Sequence, residues 1–182
     1  MGQISDFISR ISILRNTDNT TEHSYRSAFE TLFASLDSDI IIINEPKRAE
    51  YGAPDIAIQR GDIAIGYLEA KDIGVDLRKL SGSNKEQQQR YLKGCPNLIY
   101  SNGLDWDFFR DGERIASVSI GQALPTIHPY PEQFDELLHM LKDFISQQPQ
   151  TITRPKDLAQ RMAGKAVLIK DVLHKVLSDD KE

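Results

Sequence analysis

The chain has 182 residues, 40% of them hydrophobic and 27% charged, with a formal net charge of −5. That suits one ordinary globular domain with a substantial core, and an acidic total gains no non-specific hold on nucleic acid, which counts against a simple DNA-binding module. No apolar run approaches the roughly 18 residues of a membrane span, so no membrane partner is expected; Cys95 is the sole cysteine, which excludes an internal disulfide or thiolate metal cluster and makes the cytoplasm the expected location.

In "ISDFISRISIL" the residues Ile4, Phe7, Ile8, Ile11 and Leu14 recur at helical spacing. The arginines in this stretch and the lack of a small-residue cleavage site make it a helix of the fold rather than a signal peptide. "NTDNT" breaks the pattern. A second helix starts near Asn19, with Tyr25, Phe29, Leu32, Phe33 and Leu36 along one side. "DIIIIN" (39–44) reads as a strand and "EPKRAEYGAP" as a loop. The stretch "PDIAIQRGDIAIGYLEAK" alternates as a β-hairpin that turns at "QRGDI". "SGSN" then precedes a helix through "KEQQQRYLK". "NLIYS", "LDWDFFR" and "ERIASVSI" read as strands joined by two-residue turns at Asn102-Gly103 and Asp111-Gly112. "PEQFDELLHMLKDFISQ" is an amphipathic helix carrying Phe134, Leu137, Leu138, Leu141 and Phe144. The linker "QPQTITRP" leads to a last long helix, striped with Leu158, Met162, Ile169, Val172, Leu173 and Val176. The order predicts an α/β sandwich, a central mixed β-sheet flanked by helices, over residues 1–148. Residues 149–182 form the linker and C-terminal helix.

The hairpin carries the chemistry. Side chains alternate along a strand, so Glu69 and Lys71 share a face and Ala70 points away. Asp55 and Glu69 are each seven positions from Asp62. A hairpin centred there sets the two carboxylates directly opposite, with Cβ atoms about 5 Å apart. Like charges so placed repel unless a cation lies between them, and two hard oxygen ligands with open positions suit Mg²⁺. A Glu-x-Lys alone is a common solvated pair in which the lysine neutralises its neighbour. The mirrored Asp55, the preceding Gly52 and Pro54, and the apolar flanks favour a site.

"GAPD…GYLEAK" resembles the PD-(D/E)xK nuclease signature, with Pro54-Asp55 as its first half and Glu69-Ala70-Lys71 as its second. Together with "TEHSYR", "EQQQRYL" and "SNGLDW" in this order, about residues 20 to 120 resemble the nuclease domain at the amino terminus of single-chain restriction–modification enzymes (types IIG, IIL and ISP). The resemblance implies a restriction-endonuclease-like fold and a Mg²⁺-dependent DNA endonuclease that hydrolyses phosphodiester bonds in restriction, with Mn²⁺ able to substitute. It implies that Asp55, Glu69 and the backbone carbonyl of Ala70 bind the metal and that Lys71 positions the attacking water. Between two carboxylates the cationic form of Lys71 is favoured, which makes it a poor free base. Metal coordination, which lowers the pKa of water, is the better source of the nucleophile.

Glu22 corresponds to an acid that relatives carry on the helix before the sheet, as a further catalytic residue and metal ligand. Asn19-x-x-Glu22 also has capping-box spacing, in which case Glu22 only closes the helix start. Gln87 and Tyr91 match the family's Gln-x-x-x-Tyr pattern on one helix face, where the glutamine supports the lysine or the water; Gln88 takes that place if the register slips by one. An exposed polar helix face is the plainer alternative. Trp106 suits base stacking or, more ordinarily, core packing. The four histidines have no metal or nucleophile spacing. The implied partners are double-stranded DNA and the downstream methyltransferase and target-recognition domains of the same polypeptide, with dimerisation on DNA left open. Two other functions stay compatible with the sequence: a repair or junction-resolving nuclease of the same fold, and a non-catalytic nuclease-like interaction domain.

Overall fold

The computed structural model describes residues 2–16, 22–49 and 51–147, leaving out the side chains of residues 22 and 23. The predicted linker and last helix lie outside the described residues. Two helices, α1 (Gln3–Arg15) and α2 (Glu22–Leu36), are followed by strands β1 (Ile40–Asn44), β2 (Ile56–Arg60) and β3 (Ile63–Ala70). Helix α3 (Gly82–Gly94) then leads to β4 (Asn97–Ser101), β5 (Asp105–Arg110) and β6 (Glu113–Ser119). A short hairpin, β7 (Gly121–Ala123) and β8 (Ile127–Pro129), precedes α4 (Phe134–Ser146). The main sheet has the order β1-β2-β3-β4-β5-β6. Strands β3 and β4 are parallel and joined by the α3 crossover, and the other neighbours are antiparallel. This is the mixed α/β sandwich that the sequence predicts.

The predicted stripes of α1, α2 and α4 are buried for the most part, with Leu14, Leu36, Phe134 and Leu138 half-buried at their margins. Ile4, Phe7, Ile8 and Ile11 of α1, Phe29, Leu32 and Phe33 of α2, and Leu137, Leu141 and Phe144 of α4 share one cluster with Ile56, Ile58, Leu68, Ile99 and Phe108 of the sheet. Trp106 stands edge-on to Phe7 at 5.6 Å and Phe29 at 5.3 Å and is fully buried, so it packs the core and has no face to offer a base. The opposite face of the sheet holds a smaller cluster under α3, made of Leu77, Tyr91, Cys95, Leu98, Tyr100 and Phe109, with Tyr51 and Tyr67 against it.

Two connections differ from expectation. Asp111-Gly112 is the predicted two-residue turn, both residues at positive φ, with Arg110 paired to Glu113. At Asn102-Gly103, however, Ser101 pairs with Trp106, so the loop is longer than two residues. Asn102 organises it: Oδ1 accepts from the backbone N–H groups of Leu104 (2.9 Å) and Asp105 (2.7 Å), and Nδ2 donates to the Val75 carbonyl (2.9 Å). The β7–β8 hairpin has no counterpart in the prediction, because alternation cannot be read from three-residue strands.

Candidate active site

Arg60 pairs with Ile63, which makes Gly61-Asp62 a two-residue turn with Gly61 at φ +58°. Continued without interruption, that register would set Asp55 opposite Leu68 and turn one of them to the wrong face. A β-bulge prevents it. Gln59 pairs with Ala64 but Ile58 pairs with Gly66, so β3 carries one extra residue. Beyond the bulge Ile56 faces Leu68, and the same register carried one step further brings Asp55 to Glu69, whose Oε2 accepts from the Asp55 N–H. The register predicted from a turn centred on Asp62 therefore holds at the acids, by way of an offset turn and a compensating bulge. Gly66 sits at this correction, where a Cβ would fall 2.4 Å from the Phe144 ring.

The two acids interlock. The Asp55 N–H donates to Glu69 Oε2 at 3.3 Å, and the Ala70 N–H donates to Asp55 Oδ2 at 2.9 Å. Lys71 Nζ donates to Glu69 Oε1 at 2.6 Å and to Gln87 Oε1 at 3.0 Å. Gln87 Nε2 donates to Tyr91 Oη at 3.4 Å, and Tyr91 Oη donates to the Ala53 carbonyl at 2.7 Å. The structure thus brings together Asp55, Glu69, Lys71 and Gln87, and it is Gln87 rather than Gln88 that reaches the lysine. All three charged groups are buried, at 8%, 2% and 6% exposure for Asp55, Glu69 and Lys71. Ala70 turns its side chain into the opposite core, as strand alternation requires. Glu22 is the first residue of α2, and its side chain lies outside the described residues, as does Asn19.

Sequence reasoning missed Arg26 and Glu45. Arg26 Nη2 donates to Asp55 Oδ1, while Nη1 donates to Glu45 Oε1 at 2.7 Å. The Glu45 N–H donates to the Asp55 carbonyl at 2.8 Å and extends the β1–β2 ladder by one step. Glu45, Asp55 and Glu69 consequently stand in a row across three strand ends. A signal was available: Arg26 precedes Phe29 and Phe33 by three and seven positions and so sits inside the sheet-facing stripe. A charge in such a stripe needs a buried partner.

The carboxyl of Glu69 is pushed up to about 7, first by burial and then by the negative charge of Asp55, with Lys71 opposing both. Burial, followed by the nearby Glu69, also raises the Tyr91 hydroxyl to about 12 and the Cys95 thiol to about 12, which leaves neither as a ready nucleophile at neutral pH. Asp55 and Glu69 fit a hard divalent cation. Their donors are carboxylate oxygens, their mutual repulsion is written into the raised Glu69, and a cation between them removes it. Each of the four oxygens accepts one hydrogen bond and retains a second lone-pair direction. Among the described residues no three His, Cys, Asp or Glu side chains gather at one point. The remaining positions of such a cation would fall to backbone carbonyl, water or phosphate oxygens.

No protein-family profile matches the chain, and no curated protein matches it. Among the described residues no helix is long and apolar enough to cross a membrane. Among solved structures, a cryo-EM structure of a DrdV–DNA complex is similar, with a TM-score of 0.61 and 22% sequence identity. The match covers 81% of this chain and 14% of that chain, so the chain spans about a seventh of the protein it resembles. At that identity it is the architecture that is shared. With its six-stranded mixed sheet flanked by helices, the chain has a restriction-endonuclease-like fold.

Proposed function

We propose that this chain is a Mg²⁺-dependent endonuclease domain that hydrolyses phosphodiester bonds of double-stranded DNA in restriction. The observation that carries the reading is the convergence of Asp55, Glu69 and Lys71 at adjoining strand ends, with Lys71 Nζ 2.6 Å from Glu69 and 3.0 Å from Gln87. The likeness to a chain solved on DNA supports the same direction. That chain is much the longer of the two, which accords with a nuclease domain whose methyltransferase and target-recognition partners lie elsewhere in one polypeptide.

Each residue has a part that follows from its place. Asp55 and Glu69 hold the metal, their orientations fixed by backbone N–H groups on each other's strands. The carbonyl of Ala70, between Glu69 and Lys71, is the proposed further ligand. When bound, Mg²⁺ supplies Lewis-acid polarisation of the phosphate and a lowered pKa for water. Lys71, bonded to Glu69 at 2.6 Å, serves as a fixed cation that orients the attacking water and stabilises charge on the phosphate. Gln87, anchored by Tyr91, holds Lys71 in place. Glu22, at the start of α2, is retained as a further proposed ligand.

One observation favours the non-catalytic alternative: all four carboxylate oxygens of the pair are already bonded within the protein. Incubating supercoiled plasmid with the protein and Mg²⁺ or Mn²⁺ decides between them. Metal-dependent nicking or linearisation that EDTA stops and Lys71→Ala removes supports the nuclease. Intact plasmid with either metal, or equal cutting by Lys71→Ala, overturns it.

A further inference from the structure

We propose that Arg26 and Glu45 set the affinity of the Asp55–Glu69 pair for a divalent cation: Arg26 occupies Asp55 until the cation arrives and then passes wholly to Glu45. The inference rests on the metal reading above.

Arg26 leaves α2 with its side chain only 11% exposed and ends on two acids at once. The planar guanidinium presents separate nitrogens to separate acceptors, which an ammonium cannot do at fixed geometry. Its two partners differ. The Asp55 side chain is 10% exposed and belongs to the metal pair, whereas that of Glu45 is 72% exposed and takes no part in it. A dication bound by Asp55 would lie close to the Arg26 charge in a place that water screens poorly, so the two compete for one carboxylate. Asp55 stays in position when Arg26 leaves, because the Ala70 N–H holds its other oxygen at 2.9 Å. Arg26 has somewhere to go, because its Nη1 is already bonded to Glu45 at 2.7 Å. The path is short: Glu45 is the residue directly beside Asp55 in the β1–β2 register.

The consequence is a pair of opposite effects. Without the guanidinium, Asp55 is free of its rival and binds metal more tightly. Without the Glu45 charge, the second acceptor holds Arg26 less strongly, Arg26 stays on Asp55, and metal binds less tightly. Arg26 is thus a positioning residue, acting on the metal through Asp55.

The test is titration of the 182-residue protein with Mn²⁺, free ion being read by electron paramagnetic resonance at fixed pH, with melting curves to confirm folding. Arg26→Gln is expected to tighten Mn²⁺ binding about tenfold, the scale of one lost charge-assisted hydrogen bond. Glu45→Gln, on an exposed side chain, is expected to weaken it severalfold, and to have no effect once Arg26→Gln is present. Arg26→Lys, which cannot span both acids, is expected to fall on the tight side of the parent and serves if Arg26→Gln does not fold. Unchanged affinity in Glu45→Gln and in the Arg26 variant, or looser binding in the latter, overturns this inference while leaving the metal site standing. A parent protein that binds no Mn²⁺ overturns the metal reading and this inference together.

Discussion

Leu68 and Glu69 are consecutive on β3, yet they end in opposite surroundings. Leu68 enters a dry layer in which α1, α2 and α4 close over Phe7, Phe29, Phe33, Trp106 and Phe144. Glu69 enters the α3 side, where apolar residues alternate with groups that must be bonded: Lys71, Gln87, Tyr91 and the Asp55 carboxylate. The dry face gathers the larger share of buried apolar area, and burial of that kind is the main favourable term in folding. The α3 face is where buried charges are tolerated, since a paired buried charge contributes little net stability and an unpaired one costs a good deal. Strand alternation thereby separates most of what holds the domain together from what the site needs, although Arg26 of α2 also reaches Asp55.

The largest expected effect tests the dry face. Trp106→Ala should lower unfolding free energy by roughly 3–5 kcal/mol in a denaturant titration, because it opens a cavity between Phe7 and Phe29. Trp106→Phe should cost clearly less: the indole Nε1 is buried with no acceptor among the described residues, so its loss forfeits no bond. Equal losses from the two variants would mean that the indole N–H has a partner.

The next test moves to the α3 face. Lys71→Met should reduce cleavage by about 10²–10³-fold, as removal of one fixed charge-stabilising donor does. Its effect on stability should be small below pH 6. Glu69, at about 7, already carries its proton there in the parent, so removing Lys71 leaves no buried charge unpaired at that end of the pair. A variant that unfolds at pH 5.5 would show Lys71 to be structural rather than a group held for the site. Asp55 is a less clean probe, since it also receives Arg26 and the Ala70 N–H; Asp55→Asn retains more of that bonding than alanine does.

A smaller effect links the faces of the α3 layer. Gly52 has φ +114°, and a Cβ there would meet Tyr91 Cε1 at 2.9 Å. Gly52→Ala should therefore cost about 1–3 kcal/mol through strain and overpacking. By moving Tyr91 it should also loosen Gln87, so cleavage should fall more than in a variant of equal stability on the dry face. Matching stabilities and matching rates would detach Tyr91 from the site.

Much of this was legible in the sequence, for a physical reason in each case. Helical stripes such as Ile4, Phe7, Ile8 and Ile11 repeat often enough to be read, and the Asp55–Glu69–Lys71 constellation lies within one hairpin, where spacing translates into contact. The bulge that realises that contact was not legible. Gly66, beside the bulge, packs against Phe144 of a helix some eighty residues away, a contact that alternation does not reveal. Arg26 was hidden for a similar reason: its partners Glu45 and Asp55 come from other elements, and helical periodicity counts a charge only as a gap in the stripe. Gln87 could be narrowed to two neighbours by the resemblance to the Gln-x-x-x-Tyr pattern, and only the approach of α3 to Lys71 chose between them.

The last expected effect is a slope. Glu69 titrates at about 7 in the folded protein against an ordinary value of 4.5, so the folded state keeps a proton that the unfolded state has already lost across that interval. Stability contributed by this proton is complete below 4.5 and is lost as pH rises through about 7. The loss proceeds at no more than about 1.4 kcal/mol per pH unit. Metal-free protein should consequently melt at lower temperature at pH 7.5 than at pH 5.5 by more than Glu69→Gln does, because the glutamine has no proton to lose. Mg²⁺ acts in the other direction: it needs the ionised carboxylate, so its stabilising effect should be strong above pH 7 and fade below it. The two trends cross only if one group both feels Asp55 across the hairpin and binds the metal, and no residue of the dry face can produce that crossing. Parallel pH profiles for parent and Glu69→Gln, with and without Mg²⁺, would place the metal away from Glu69.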